Sequence, residues 1–162
     1  MTDEGLNAFI NLPDNGITHL CLNGVTGVTG KGLYEIINSC KDTLEIYESA
    51  QMDQDELKDS KFAKALAFCF NLKCLDLGGC KAIGDDFFNN IATGERKEEG
   101  VTTKPGFAYL HTIKLNFLTR IMDGSATKCC QISPNLEHLE LTGCENLTEY
   151  AIEAIFKGYK NL

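Results

Sequence analysis

Leu72–Cys80 reads LKCLDLGGC, and Leu136–Cys144 reads LEHLELTGC. Both follow L-x-x-L-x-L-x-x-C, and this nine-residue pattern decides the fold. Allowing any apolar residue at the leucine positions adds Ile17–Val25 (ITHLCLNGV) and Leu110–Leu118 (LHTIKLNFL). A fifth copy, Leu44–Met52 (LEIYESAQM), is degenerate, with Tyr47 and Ser49 at the inner apolar positions. The copies start at 17, 44, 72, 110 and 136, in steps of 27, 28, 38 and 26 residues. Apolar residues that alternate within each copy describe a strand with one buried face.

The stretches after the strands repeat as well. Val28, Leu33, Ile36 and Ile37, then Ile83, Phe87, Phe88 and Ile91, then Leu147, Ala151, Ile152 and Ile155 each outline a helical face. Thr29 and Thr148 stand where an N-cap hydroxyl accepts from first-turn N–H groups. One strand and one helix cannot bury an apolar face alone, so the units must stack. The expected fold is an α/β solenoid, a right-handed superhelix of about five repeats with a parallel concave sheet and convex helices. Strands are expected near Thr18–Leu22, Glu45–Tyr47, Cys74–Leu77, Thr112–Leu115 and His138–Leu141. Leu20, Leu22, Leu75, Leu77, Ile113, Leu115, Leu139 and Leu141 should form the core. Residues 1–16 read as a lead-in or cap, and 17–162 as the repeat domain. The long step places an insertion at 93–107 (TGERKEEGVTTKPGF), expected to be a solvated, mobile loop.

The pattern resembles the cysteine-containing class of leucine-rich repeats, found in F-box leucine-rich-repeat proteins, plant hormone receptors, mitotic-exit regulators and axonemal regulatory-complex subunits. The match runs from 17 to 162. The ninth-position Cys is present as Cys80 and Cys144 and is replaced by Val25, Met52 and Leu118; Cys69 takes the slot before a first Leu. The resemblance implies a protein-interaction module, either an adaptor or a structural subunit of a larger assembly such as an axonemal complex. The alternative it implies is the substrate-recognition arm of a ubiquitin ligase. An F-box needs helices ahead of the repeats, and only 16 residues precede Ile17, so the F-box itself is expected to be missing. Leu162 falls in register as the first Leu of a sixth repeat, with Tyr159 in the Cys slot. The last repeat is therefore expected to be uncapped, as in a fragment of a longer chain or a subunit covered by a neighbour.

Twenty-three acidic residues against 15 basic give a net charge of −8. That balance argues against nucleic-acid binding and against a polybasic membrane-surface role. No apolar run is long enough for a membrane helix, and the N-terminus lacks a secretory pattern. Eight cysteines sit within apolar patterns, where free Cys behaves as a small buried hydrophobe. A reducing compartment is expected, cytoplasmic or nuclear (through the resemblance, also the axoneme), and secretion is not.

No catalytic, metal or cofactor chemistry is expected. The stretch Gly24–Gly32 (GVTGVTGKG) has glycines at the wrong spacing for a phosphate loop, and Gly32 follows Lys31 where a Mg²⁺-binding Ser or Thr is required. Cys69 and Cys74 have four residues between them, the outer limit of zinc-ligand spacing, and no second pair matches, unlike structural zinc sites. His19 and His138 lie four repeats apart, roughly 20 Å at the spacing of strands, and cannot form one dyad. Asn146-Leu147-Thr148 is a glycosylation sequon whose place in the repeat is the turn and helix cap.

What remains is the outward surface of the strands. Alternation yields three columns: His19, Ile46, Cys74, Thr112 and His138; Cys21, Glu48, Asp76, Lys114 and Glu140; Asn23, Ala50, Gly78, Asn116 and Thr142. The middle column has three carboxylates against one Lys, which stacked carboxylates favour only with a basic group opposite. The expected partner site is His19, Cys21, Asn23, Glu48, Asp76, Lys114, Asn116, His138, Glu140 and Thr142, facing a protein with a basic segment. Five repeats make too shallow an arc to enclose a small ligand.

Overall fold

In the computed structural model, the structure describes residues 1–12, 15–52, 57, 60–93, 96–98, 101–103, 106–159 and 162. Five short strands form one parallel sheet: β1 (His19–Cys21), β2 (Ile46–Glu48), β3 (Cys74–Asp76), β6 (Thr112–Lys114) and β7 (His138–Glu140), ordered β1-β2-β3-β6-β7. Between them run α2 (Gly30–Cys40), α3 (Ser60–Ala67), α4 (Asp85–Thr93) and α5 (Asp123–Ile132); α1 (Asp3–Ile10) precedes the sheet and α6 (Glu149–Gly158) follows it. Each helix packs against the next, from α1 to α6. The fold is an α/β leucine-rich-repeat solenoid, with the strands on the concave side and the helices on the convex side.

The register is in phase across all five copies. Leu20, Tyr47, Leu75, Ile113 and Leu139 align in one inward row. Leu22, Leu75, Leu77, Ile113 and Leu115 are buried, as expected. Leu20 and both Leu139 and Leu141 are only half-buried, because the first and last strands each lack a neighbour on one side. The second strand lies one residue later than expected, at Ile46–Glu48. Its unusual inner residues are nevertheless in the core: Tyr47 and Ser49 are fully buried. Tyr47 packs on Phe62 of α3, ring centroids 6.0 Å apart, and Phe62 packs on Phe87 of α4 at 5.6 Å. The aromatic column fills space that leucines fill elsewhere. Its cost is polar: among the described residues the buried Tyr47 Oη and Ser49 Oγ make no well-formed hydrogen bond, and burial, only partly offset by the nearby Ser49 hydroxyl, pushes the Tyr47 phenol far above its usual range.

The same turn closes every strand. Gly24, Gln51, Gly79, Phe117 and Gly143 hold the eighth position of the five copies, with φ of +66°, +59°, +74°, +60° and +71°. This is left-handed space, natural for Gly and strained for Phe. The repeat cysteines then tie copies together. Cys80 Sγ donates to the Ser49 carbonyl at 2.9 Å, and Cys144 Sγ donates to the Leu115 carbonyl at 3.0 Å, the equivalent atom of the preceding copy in each case.

Helix starts are linked in the same way. Asp123 accepts from the Thr148 N–H at 2.8 Å and from its hydroxyl at 2.6 Å, while Thr148 caps α6. Asp3 does the same for Thr29, at 2.7 Å and 2.6 Å, and Thr29 caps α2 by accepting from Gly32. Asp85 joins Met122 N–H and the Ser125 hydroxyl. The segment 1–12 therefore supplies more than a lead-in: α1 buries Leu6 and makes the helix-to-helix link of a repeat.

The insertion at 93–107 differs from expectation. Instead of loop throughout, it carries β4 (Arg96–Glu98) paired antiparallel with β5 (Val101–Thr103). Residues 94–95, 99–100 and 104–105 lie outside the described residues, so the expected mobility stands untested.

Candidate functional site

Strand pairing assembles the outward columns in the expected order. His19, Ile46, Cys74, Thr112 and His138 align, as do Cys21, Glu48, Asp76, Lys114 and Glu140. The third column is joined by hydrogen bonds: Asn23 Oδ1 accepts from the Ala50 N–H at 2.7 Å, and Asn116 Oδ1 accepts from the Thr142 N–H at 2.9 Å. Asn23 and Asn116 thus hold adjacent strand ends in register, a role that the alternation pattern did not reveal.

The carboxylates of the acidic column are held by neighbouring side chains. His19 Nε2 lies 3.0 Å from Glu48 Oε2, and His138 Nε2 lies 3.1 Å from Glu140 Oε1. Lys114 aligns between Asp76 and Glu140. Asn116 Nδ2 also donates to Glu140 Oε2 at 2.6 Å, and Asp76 accepts from the Gly78 N–H at 2.9 Å. The bond to His19 is the main reason that Glu48 titrates below the usual carboxylate range, against a smaller opposing push from burial. Asn116, followed by His138, holds Glu140 down in the same sense. The two histidines remain half-exposed, at opposite ends of the sheet. The His19–Glu48 pairing went unread in sequence because the two are partners only across strands, whereas His138 and Glu140 stand two residues apart on β7.

The thiols in these columns differ. Cys21 is exposed. Cys74 is half-buried, and burial raises its thiol, so it is poorly suited to act as a nucleophile. Among the described residues no group of three or more His, Cys, Asp or Glu could hold a metal ion, and no helix is long and apolar enough to cross a membrane. Chemically, the surface offers anchored carboxylates, two imidazoles and one ammonium on a rigid sheet. That suits polar recognition of another macromolecule.

A family model described as Leucine Rich repeat matches residues 68–86, from the end of α3 through β3 to the start of α4. With five parallel strands alternating with helices, it supports a leucine-rich-repeat family for this chain, a class whose curved sheets serve protein–protein interaction. The match carries the repeat class and no subtype within it. A comparison with curated proteins found no match.

Proposed function

We propose that this chain is a non-enzymatic interaction module that binds a protein partner on its concave sheet, as an adaptor or structural subunit of a larger cytoplasmic assembly. The observation that supports it most is the in-register column Cys21–Glu48–Asp76–Lys114–Glu140, partly exposed on the outward face of the sheet. Its carboxylates are anchored before a partner arrives, so less ordering entropy is lost on binding. A basic partner segment fits that column, with Asn23, Asn116 and Thr142 along one border and His19 and His138 along the other. We take 17–162 as the binding domain and 1–16 as its N-terminal cap, a division that the packing of α1 on α2 supports.

The test is affinity capture from cell extract with the wild-type chain and with Glu48→Lys/Glu140→Lys, both checked for native circular dichroism. Partners lost on charge reversal are the expected result. Tubulin or dynein subunits among them favour an axonemal assembly, and cullin-ligase subunits favour a recognition arm. Identical capture by both chains overturns the concave-face reading.

A further inference from the structure

One cleft on the helical side carries the reverse charge. Between α2 and α3 lies a cleft of about 570 Å³ lined by Tyr34, Asn38, Lys41, Lys61, Lys64, Ala65 and Phe68. Three of its seven lining residues are lysines and none is acidic, in a chain of net charge −8. Lys41 and Lys64 have no carboxylate partner among the described residues. Two aromatic rings complete the walls. Tyr34 is exposed, and half-buried Phe68 is held edge-on by Phe70, ring centroids 6.0 Å apart. The size and mixture of aromatic walls with a few polar groups are those of a binding cleft.

Lysines near helix C-termini also complement the helix dipole, and Lys41 and Lys64 sit at such ends. That accounts for each lysine singly. It does not account for their convergence with Lys61 from two different helices around one aromatic-walled hollow.

We propose that this convex cleft is a second binding site, which takes an acidic polypeptide segment bearing an aromatic side chain. The aromatic group seats between Tyr34 and Phe68. Flanking Asp or Glu carboxylates meet the Lys41 and Lys64 ammonium groups, and Asn38 donates to the segment's backbone. Lysine suits such carboxylates as a mobile point charge, without the planar fork that bidentate recognition needs. The site is independent of the concave column, and the two faces select partners of opposite charge. A single chain can then bridge a basic partner and an acidic one.

The experiment is fluorescence anisotropy with labelled Asp-Glu-Phe-Asp-Glu, its Ala-centred analogue, and a short single-stranded oligonucleotide. Expected is saturable binding of the Phe peptide that weakens about tenfold or more in Lys41→Glu/Lys64→Glu. Tyr34→Ala, which leaves the charge unchanged, should reduce affinity for the Phe peptide more than for the Ala analogue. Glu48→Lys/Glu140→Lys on the concave side should leave both affinities intact, which separates failure here from failure of the concave reading. Binding insensitive to Lys41→Glu/Lys64→Glu overturns the proposal. So does equal binding of the Phe and Ala peptides, or of the oligonucleotide, which would reduce the cleft to a general anion sink. Native circular dichroism and melting of each variant exclude misfolding as the cause.

Discussion

Glycine at the eighth position of three of the five repeats shows how much one residue can carry. A Cβ at Gly24 would meet open space, so Gly24→Ala costs only the left-handed strain, about 1–2 kcal/mol. A Cβ at Gly143 would collide with the Phe117 ring of the preceding copy, so Gly143→Ala should cost more. Denaturant melts of Gly143→Ala in the wild-type and Phe117→Ala backgrounds measure the difference. In the Phe117→Ala background the cost should fall to that of Gly24→Ala. The carboxylates give a second residue-scale outcome. Glu48 and Glu140 titrate low in the folded state. Their stabilisation is present above the ordinary Glu value of about 4.3 and is lost as pH falls through their folded values. Urea midpoints of wild type and Glu48→Gln should therefore differ near neutral pH and converge in acid. A constant gap across that range would contradict the His19–Glu48 link.

At the scale of elements, position in the stack decides what a strand residue is worth. Leu75 on the central strand is 1% exposed, and Leu75→Ala should destabilise by about 2–5 kcal/mol through the cavity left in a close-packed row. From the repeat alone, Leu139 carries the same expectation. It lies on the last strand, half-buried with no neighbour beyond, so Leu139→Ala should cost distinctly less. Thermal melts of the two variants compare them directly, and equal losses would show that β7 is covered. Helices α3 and α5 teach a related lesson. In α5 the buried residues include Ser125 and Ala126, too small to mark a hydrophobic period, whereas α3 buries Phe62 and Leu66 one turn apart beside its alanines, a legible signal like those of α2 and α4. Helix α5 forms because the neighbouring repeats leave room for it, and short side chains let it pack closely.

The whole molecule is a row of nearest-neighbour contacts, and its two ends differ. At the N-terminal end, α1 buries Leu6 and supplies Asp3 to the cap of α2. At the other end, Ile152 and Phe156 of α6 are 48% and 75% exposed, and Leu141 and Leu147 are half-buried. One contact opposes fraying: Tyr159 is buried, and its hydroxyl lies 3.0 Å from Ser133 Oγ. Ser133 gives its own proton to the Cys129 carbonyl, so Tyr159 is the donor. Stability in such stacks is a sum over repeats and interfaces, so amides of Ala151–Phe156 should exchange faster than those of Leu75–Leu77 in the isolated monomer. Equal protection by hydrogen exchange would show that Tyr159 suffices as a cap.

The repeat phase, the parallel register, the inward leucines and the order of the outward columns were all legible in the residues. Each depends on periodicity along the chain, and periodicity survives without coordinates. Tertiary structure alone decided the rest, because it depends on which atoms of different repeats approach. His19 reaches Glu48 only across a strand pair, and Asp123 reaches Thr148 only across two helix starts. Tyr47 packs its ring on Phe62, and Phe62 packs on Phe87, contacts that join three repeats. The convex lysine cleft joins residues of two helices that only the packing of α3 on α2 brings together. A one-dimensional pattern reports the face on which a side chain lies, and distances between repeats report what it meets there.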